Sequence, residues 1–225
     1  MRPSNPLEQW FQCHTTGPGI WRWHHYWEIY HRHLEKFRGR EVHIAEVGVY
    51  SGGSLEMWRD YFGPKATIHG IDIQEACRRY AGGQIRIHIG DQADRTFWKR
   101  FKEEVPQLDV LIDDGGHDPN QQIVTVEEIL PHLNYGGVYI CEDIHGENHG
   151  FVGYLNWIVG RLNEIVMATD TTLHGWRATP FQRDVHSLHV YPYIAVLERN
   201  QTMVDTFTSP VAGTEWIWKD PEWKP

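Results

Sequence analysis

The spacing of apolar residues changes several times along the chain, and each change predicts an element. Residues 23–37 carry apolar side chains at helical spacing and run into Arg38-Gly39, which predicts an amphipathic helix. Residues 43–49 form a short apolar run, read as a strand, followed by Tyr50-Ser51-Gly52-Gly53. Ser54 is placed to cap a helix over 55–62 that stops at Gly63-Pro64. Strands are predicted at 67–73 and 85–89, and a helix at 94–104. A fourth strand covers 110–113, and Pro119 opens a helix that runs to about residue 133. Asn134-Tyr135-Gly136-Gly137 reads as a turn, with a fifth strand at 138–141 and a helix at 151–167. Segments 185–190 and 193–198, around Tyr191-Pro192, close the pattern as a strand pair.

Strands alternating with helices imply an α/β fold, doubly wound, with a mostly parallel seven-stranded sheet and one antiparallel strand. The expected organisation is a Trp- and His-rich helical segment over 1–40, one main domain over 41–200, and a Trp-rich tail over 201–225. Sheets of this kind bind ligands beyond the carboxyl ends of their strands. Each candidate motif falls at such an end.

The first is Glu46-Val-Gly48-Val-Tyr50-Ser51-Gly52-Gly53-Ser54, between a strand and a helix. Its glycines let backbone approach a ligand, and the helix start offers N–H groups to an anion. Glu46 is placed either to receive a ligand amine or to order the glycine loop. Asp72 ends the second strand, where a carboxylate can hold two ribose hydroxyls. Gly90-Asp91-Gln92 ends the third strand and suits an adenine edge. The loop spacing is E-x-G-x-x-x-G rather than the G-x-G-x-x-G of dinucleotide enzymes, which favours S-adenosylmethionine over NAD.

Asp113-Asp114-Gly115-Gly116-His117 and Glu142-Asp143 end the fourth and fifth strands. If these strands are neighbours, Asp114, Glu142 and Asp143 converge, and their mutual repulsion calls for a cation. Oxygen-only ligation suits Mg²⁺, Mn²⁺ or Ca²⁺ rather than zinc. His117, three residues after Asp114, can stand beside such a metal as a general base.

Composition narrows the partners. The 225 residues carry a formal net charge of -9, which argues against nucleic acid as a partner. No apolar run has the roughly 20 residues that a membrane span needs, and residues 1–12 lack a secretory core. With three cysteines and no C-x-x-C pair, a reducing cytoplasm is the expected setting. Eleven Trp and fifteen His are the unusual feature. Residues 21–30 are read as a cover for the pocket, a subunit contact in a homo-oligomer, or simple packing.

Residues 41–146 resemble the metal-dependent macrolide-sugar O-methyltransferases of the mycinamicin 2''-O-methyltransferase type, and are also similar to the cephalosporin hydroxylase family. The matching pieces are Glu-Val-Gly-Val-Tyr-Ser-Gly-Gly-Ser, Gly-Ile-Asp-Ile, Gly-Asp-Gln, Ile-Asp-Asp-Gly-Gly-His and Cys-Glu-Asp. The resemblance implies a Rossmann-like class I methyltransferase fold, with Mg²⁺ on Asp114, Glu142 and Asp143 and His117 as base. It implies that Glu46, Asp72, Asp91 and Gln92 serve S-adenosylmethionine. The motif neighbours Gly48, Tyr50, Ser51, Gly52, Ser54, Ile73 and Asp113 are further cofactor-binding candidates. The family's type member has an additional N-terminal domain that this sequence is expected to lack, so its acceptor and assembly do not transfer. The expected reaction is methyl transfer to a small hydroxylated acceptor. Its rivals are an oxidative enzyme and a non-catalytic binding subunit with the same fold.

Overall fold

The computed structural model describes residues 5–166, 175–210, 212 and 213. Helices α1 (Pro6–Cys13) and α2 (Tyr26–Leu34) precede strand β1 (His43–Val47). Then follow α3 (Gly53–Phe62), β2 (Thr67–Asp72), β3 (Ile85–Ile89), α4 (Arg95–Glu104), β4 (Leu108–Asp113), α5 (Pro119–Ile129) and β5 (Leu133–Cys141). The chain closes with α6 (Gly150–Leu162), β6 (Gly175–Arg177), α7 (Pro180–Asp184), β7 (Val185–Tyr191), β8 (Ile194–Arg199) and β9 (Thr206–Thr208).

Seven strands form one sheet in the order β3-β2-β1-β4-β5-β8-β7. The first five are parallel, and β8 runs antiparallel between β5 and β7. The expected doubly wound sheet with one antiparallel strand is therefore present. The order reverses between β1 and β4, which opens the crevice where ligands bind in such sheets.

Apolar side chains cover both faces. One face packs Tyr26, Trp27, Tyr30, Trp58 and Phe62 from α2 and α3 onto Ile44, Val110 and Ile140. The other packs Phe97, Trp98, Phe101 and Phe151 onto Ala45, Leu111 and Tyr139. Parallel strands buried from both sides read as continuous apolar runs, so their sequence signal was strong. The N-terminal segment shares this core through Leu7, Tyr26, Trp27 and Leu34.

Several boundaries differ from expectation. The supposed turn at 134–137 lies inside β5, and the β4–β5 register shifts between Leu108 and Val110 to absorb it. The helix from Pro119 ends at Ile129, and the helix expected over 151–167 ends at Leu162. Short elements were missed: α1, α7, the β6–β9 pair and a 3-10 turn at Glu75–Tyr80. Trp216, Ile217, Trp218 and Trp223 lie outside the described residues. Cys13, Cys77 and Cys141 are free thiols. No helix among the described residues is long and apolar enough to cross a membrane.

A row of imidazoles crosses three strands. His43 Nδ1 meets His69 Nε2 at 3.1 Å, His69 Nδ1 meets His88 Nε2 at 3.0 Å, and His88 Nδ1 meets Glu104 Oε2 at 3.2 Å. One neutral tautomer satisfies the whole row, with each Nδ1–H donating onward. Burial, then the charges of His88 and His43, push the His69 pKa down to about 3. The folded chain thus binds fewer protons here than the unfolded chain, whose histidine pKa is about 6.5. This stability is complete above about pH 6.5 and drains away as pH falls towards 3, at roughly 1.4 kcal/mol per pH unit. Urea denaturation at pH 7 and pH 5 should differ by about 2 kcal/mol more in the native chain than in His69→Gln. Equal pH dependence in the two would contradict this assignment.

Candidate active site

A cavity of about 810 Å³ opens at the carboxyl edge of the sheet, at the β1–β4 switch. Strand register aligns the site. Val47 pairs with Asp113, and Asp113 pairs with Cys141. The next residues, Gly48, Asp114 and Glu142, therefore emerge side by side where the ladder ends.

The glycine loop follows from close packing. Gly48 has φ +92°, and a Cβ there would stand 1.9 Å from the Asp114 carbonyl oxygen. Only glycine lets the ends of β1 and β4 approach this closely. Asp72 fixes the next turn: its Oδ2 accepts from the Val49 and Tyr50 N–H groups, each at 3.0 Å. Tyr50, His117 and Asp143 take left-handed φ values of 48°, 55° and 55°. All three border the cavity, where strained backbone re-aims side chains.

The cofactor-binding candidates divide into two groups. Gly48, Tyr50 and Ser51 line the cavity from the loop after β1, and Ser54 from the first turn of α3. Asp72, Ile73, Asp91 and Gln92 line it from the ends of β2 and β3. Glu46, Gly52 and Asp113 sit behind the wall. The buried Glu46 carboxylate accepts from Ser54 Oγ at 2.6 Å and Trp58 Nε1 at 3.1 Å, so it orders the glycine loop. Asp113 accepts from Gln92 Nε2 at 2.9 Å and Tyr139 OH at 3.0 Å. Burial, opposed by those bonds, pushes its pKa up to about 6. Gln92 Oε1 also accepts from Gly116 N–H at 2.8 Å. Its side chain clasps the Gly115-Gly116 turn, leaving Asp91 as the freer group of that pair.

Asp114, Glu142, Asp143 and His117 all face the cavity. His117 Nε2 lies 3.6 Å from Asp143 Oδ2 and 4.0 Å from Asp114 Oδ1. One donor atom from each of these three residues falls within a 4.8 Å cluster that can hold a metal ion. Glu142 is not among these three donors, and its Oε1 accepts from Tyr30 OH at 2.6 Å. Burial lowers the His117 pKa, against the pull of Asp143, and so favours the neutral imidazole. Burial also pushes the Glu142 pKa up to about 7, with Arg22 and the Tyr30 hydroxyl opposing.

The residue that the sequence did not reveal is Arg22. Its guanidinium pairs with Glu46 and Asp114 and lies 3.6 Å from Glu142 Oε2. Burial disfavours its charge, but Glu142, Asp114 and Glu46 outweigh this and hold its pKa above the ordinary value. Trp23 Nε1 and Tyr26 OH each donate to Asp143 at 3.0 Å. Residues 22–30 thus grip the acidic cluster, while Arg22 and Trp23 also line the cavity. The only signal was an arginine inside the aromatic run, which carries no spacing rule. Three carboxylates face one guanidinium, and Asp143 adds a fourth beside them. An oxygen-rich cluster of that kind fits a hard divalent cation.

Replacing Arg22 with Met should strand buried carboxylates and cost about 3–5 kcal/mol of unfolding free energy. Urea denaturation checks this, and a loss below about 1 kcal/mol would deny Arg22 its role. Gly48→Ala should be as damaging, because the new Cβ meets backbone rather than a movable side chain.

Comparison with known proteins agrees with this architecture. Residues 45–144 match a family model described as "Methyltransferase domain". The chain is 30% identical over 204 residues to the 8-demethyl-8-alpha-L-rhamnosyl tetracenomycin-C 2'-O-methyltransferase of Streptomyces olivaceus, covering 81% of this chain and 52% of that protein. It is 37% identical over 121 residues to the L-olivosyl-oleandolide 3-O-methyltransferase of Streptomyces antibioticus, covering 51% of this chain and 31% of that one. Among solved structures, the MycE methyltransferase of the mycinamycin biosynthetic pathway, in complex with Mg and SAH, superposes with a TM-score of 0.71. That match has 26% identity and covers 88% of this chain and 55% of MycE. The chain spans about half the length of the curated relatives that it matches over most of its own length. Residues 45–144 thus match a methyltransferase-domain model, and most of the chain is similar to part of known sugar O-methyltransferases.

Proposed function

We propose that this chain is an S-adenosylmethionine- and Mg²⁺-dependent O-methyltransferase. It acts on a hydroxyl of a sugar, a glycosylated natural product or another small hydroxylated acceptor, with His117 as general base. One observation carries the reading: His117 stands between Asp114 and Asp143 in the cavity that the glycine loop also borders. The names of the similar enzymes point the same way, since several are sugar O-methyltransferases.

S-adenosylmethionine supplies an electrophilic methyl on a sulfonium, which needs no acid when it leaves. Asp114, Glu142 and Asp143 would hold a divalent cation, Mg²⁺ or Mn²⁺, which would supply Lewis acidity to lower the pKa of an acceptor hydroxyl. The residues of the chain do the rest. Asp72 and Asp91 line the cavity where they would receive the cofactor's nucleoside, and the start of α3 would favour its carboxylate. His117 receives the hydroxyl proton at Nε2 as the oxygen–methyl bond forms and the carbon–sulfur bond breaks. The electron pair stays on sulfur, and the proton then passes to solvent. Positioning and one base are sufficient.

Calorimetry should show binding of S-adenosylhomocysteine. With Mg²⁺ present, rhamnosylated and related sugar acceptors should gain the mass of one methyl. Cofactor binding without methyl gain on any sugar acceptor would point to a binding subunit instead. His117→Ala should lower kcat by ~10²–10⁴-fold while leaving the cofactor Kd within about twofold. Near-normal turnover in that variant would remove His117 from the reaction.

A further inference from the structure

The abundance of histidine has a second focus, away from the cavity. On the β7–β8 hairpin, Ser187 pairs with Glu198 and His189 pairs with Val196. Residues 187, 189 and 191 share one face of β7, and Glu198 lies diagonal to His189 on it. Helix α2 lays His33 on that face. His33 and His189 have ring centroids 4.7 Å apart. His33 Nδ1 lies 2.7 Å from Glu198 Oε1. One donor atom from each of His33, His189 and Glu198 falls within a 4.8 Å cluster.

We propose that His33, His189 and Glu198 form a second metal site, for a divalent cation of borderline softness such as Zn²⁺. Two imidazoles and one carboxylate are the donors that zinc, cobalt and nickel prefer, whereas the Asp114–Asp143 cluster is rich in the oxygen that magnesium prefers. The surroundings match those of a ligand set. His33 Nε2 lies 2.9 Å from Tyr191 OH, a partner that fixes the ring and leaves Nδ1 directed at the cluster. Ser187 Oγ meets His189 Nε2 at 3.0 Å. Glu198 supplies the anion, and Lys36 Nζ, 3.8 Å from its other oxygen, remains outside the three donors.

The three donors, within 4.8 Å of one another, must adjust to close on an ion. Metal–ligand bonds of about 2.0–2.1 Å in a tetrahedron hold donors about 3.3 Å apart. The His33–Glu198 pair must therefore open by about 0.6 Å from its 2.7 Å contact and release the proton that it shares. His189 and Glu198 are partly accessible, so water can fill the fourth position. The site would pin α2 to the sheet edge. This is the helix whose Tyr26 and Tyr30 reach Asp143 and Glu142.

The test titrates Co²⁺, monitored by its visible absorption, into the untagged full chain held in excess Mg²⁺. One equivalent should bind with a tetrahedral spectrum and raise the melting temperature. The signal should persist in Asp143→Asn and weaken by at least ~10-fold in His189→Ala and Glu198→Gln. Both hairpin variants should melt like the native chain without metal, which separates lost ligation from lost folding. No Co²⁺ uptake by the native chain, or uptake that survives His189→Ala, would overturn the proposal. Because the cavity is not involved, this result is independent of methyl transfer.

Discussion

The structure turns on a problem of charge. Three neighbouring parallel strands end in register, and each delivers carboxylates to the same edge. Glu46 comes from β1, Asp114 from the end of β4, and Glu142 and Asp143 from the end of β5. Left alone, such a cluster repels itself, and burial makes the repulsion worse. Arg22 is the internal answer: a planar cation with several donors can bridge carboxylates from different strands. Its pairs with Glu46 and Asp114 tie the N-terminal segment to both sides of the switch point. The aromatic run around it is therefore part of the site. Tyr30 and Tyr26 spend their hydroxyls on Glu142 and Asp143 while their rings stay in the core.

Close packing is the second constraint. The loop after β1 passes so near Asp114 that position 48 must be glycine. Tyr50, His117 and Asp143 accept left-handed backbone without being glycine, at a cost of order 1–3 kcal/mol each. Buried strands on both sides carry that cost, and it aims the side chains into one cavity. A methyl transfer that relies on positioning and a single base has use for such rigidity.

The sheet was legible because its central strands are covered on both faces and read as plain apolar runs. The strand ends were legible because each run stops on a carboxylate or a glycine. The acidic cluster needs β4 and β5 to be adjacent, and their parallel register supplies this. The roles of individual polar residues were less readable. Glu46, Gln92 and Asp113 stand at ligand-facing strand ends, yet their side-chain bonds run inward to Trp58, Thr125 and Tyr139. Arg22 was invisible because its partners lie 24 to 120 residues away, and no local period marks such a contact. The same holds for His33, whose partners on β7 and β8 are more than 150 residues distant.

Under the proposed function, the acidic edge and the glycine loop serve one reaction centre, with cation and nucleoside bound side by side. Crystals grown with Mn²⁺ and S-adenosylhomocysteine, and measured for anomalous scattering, address it directly. One manganese peak is expected, bounded by Asp114 and Asp143, with the nucleoside along Asp72 and Asp91. A bound nucleoside with no manganese between those aspartates, or manganese held elsewhere in the cavity, would contradict it.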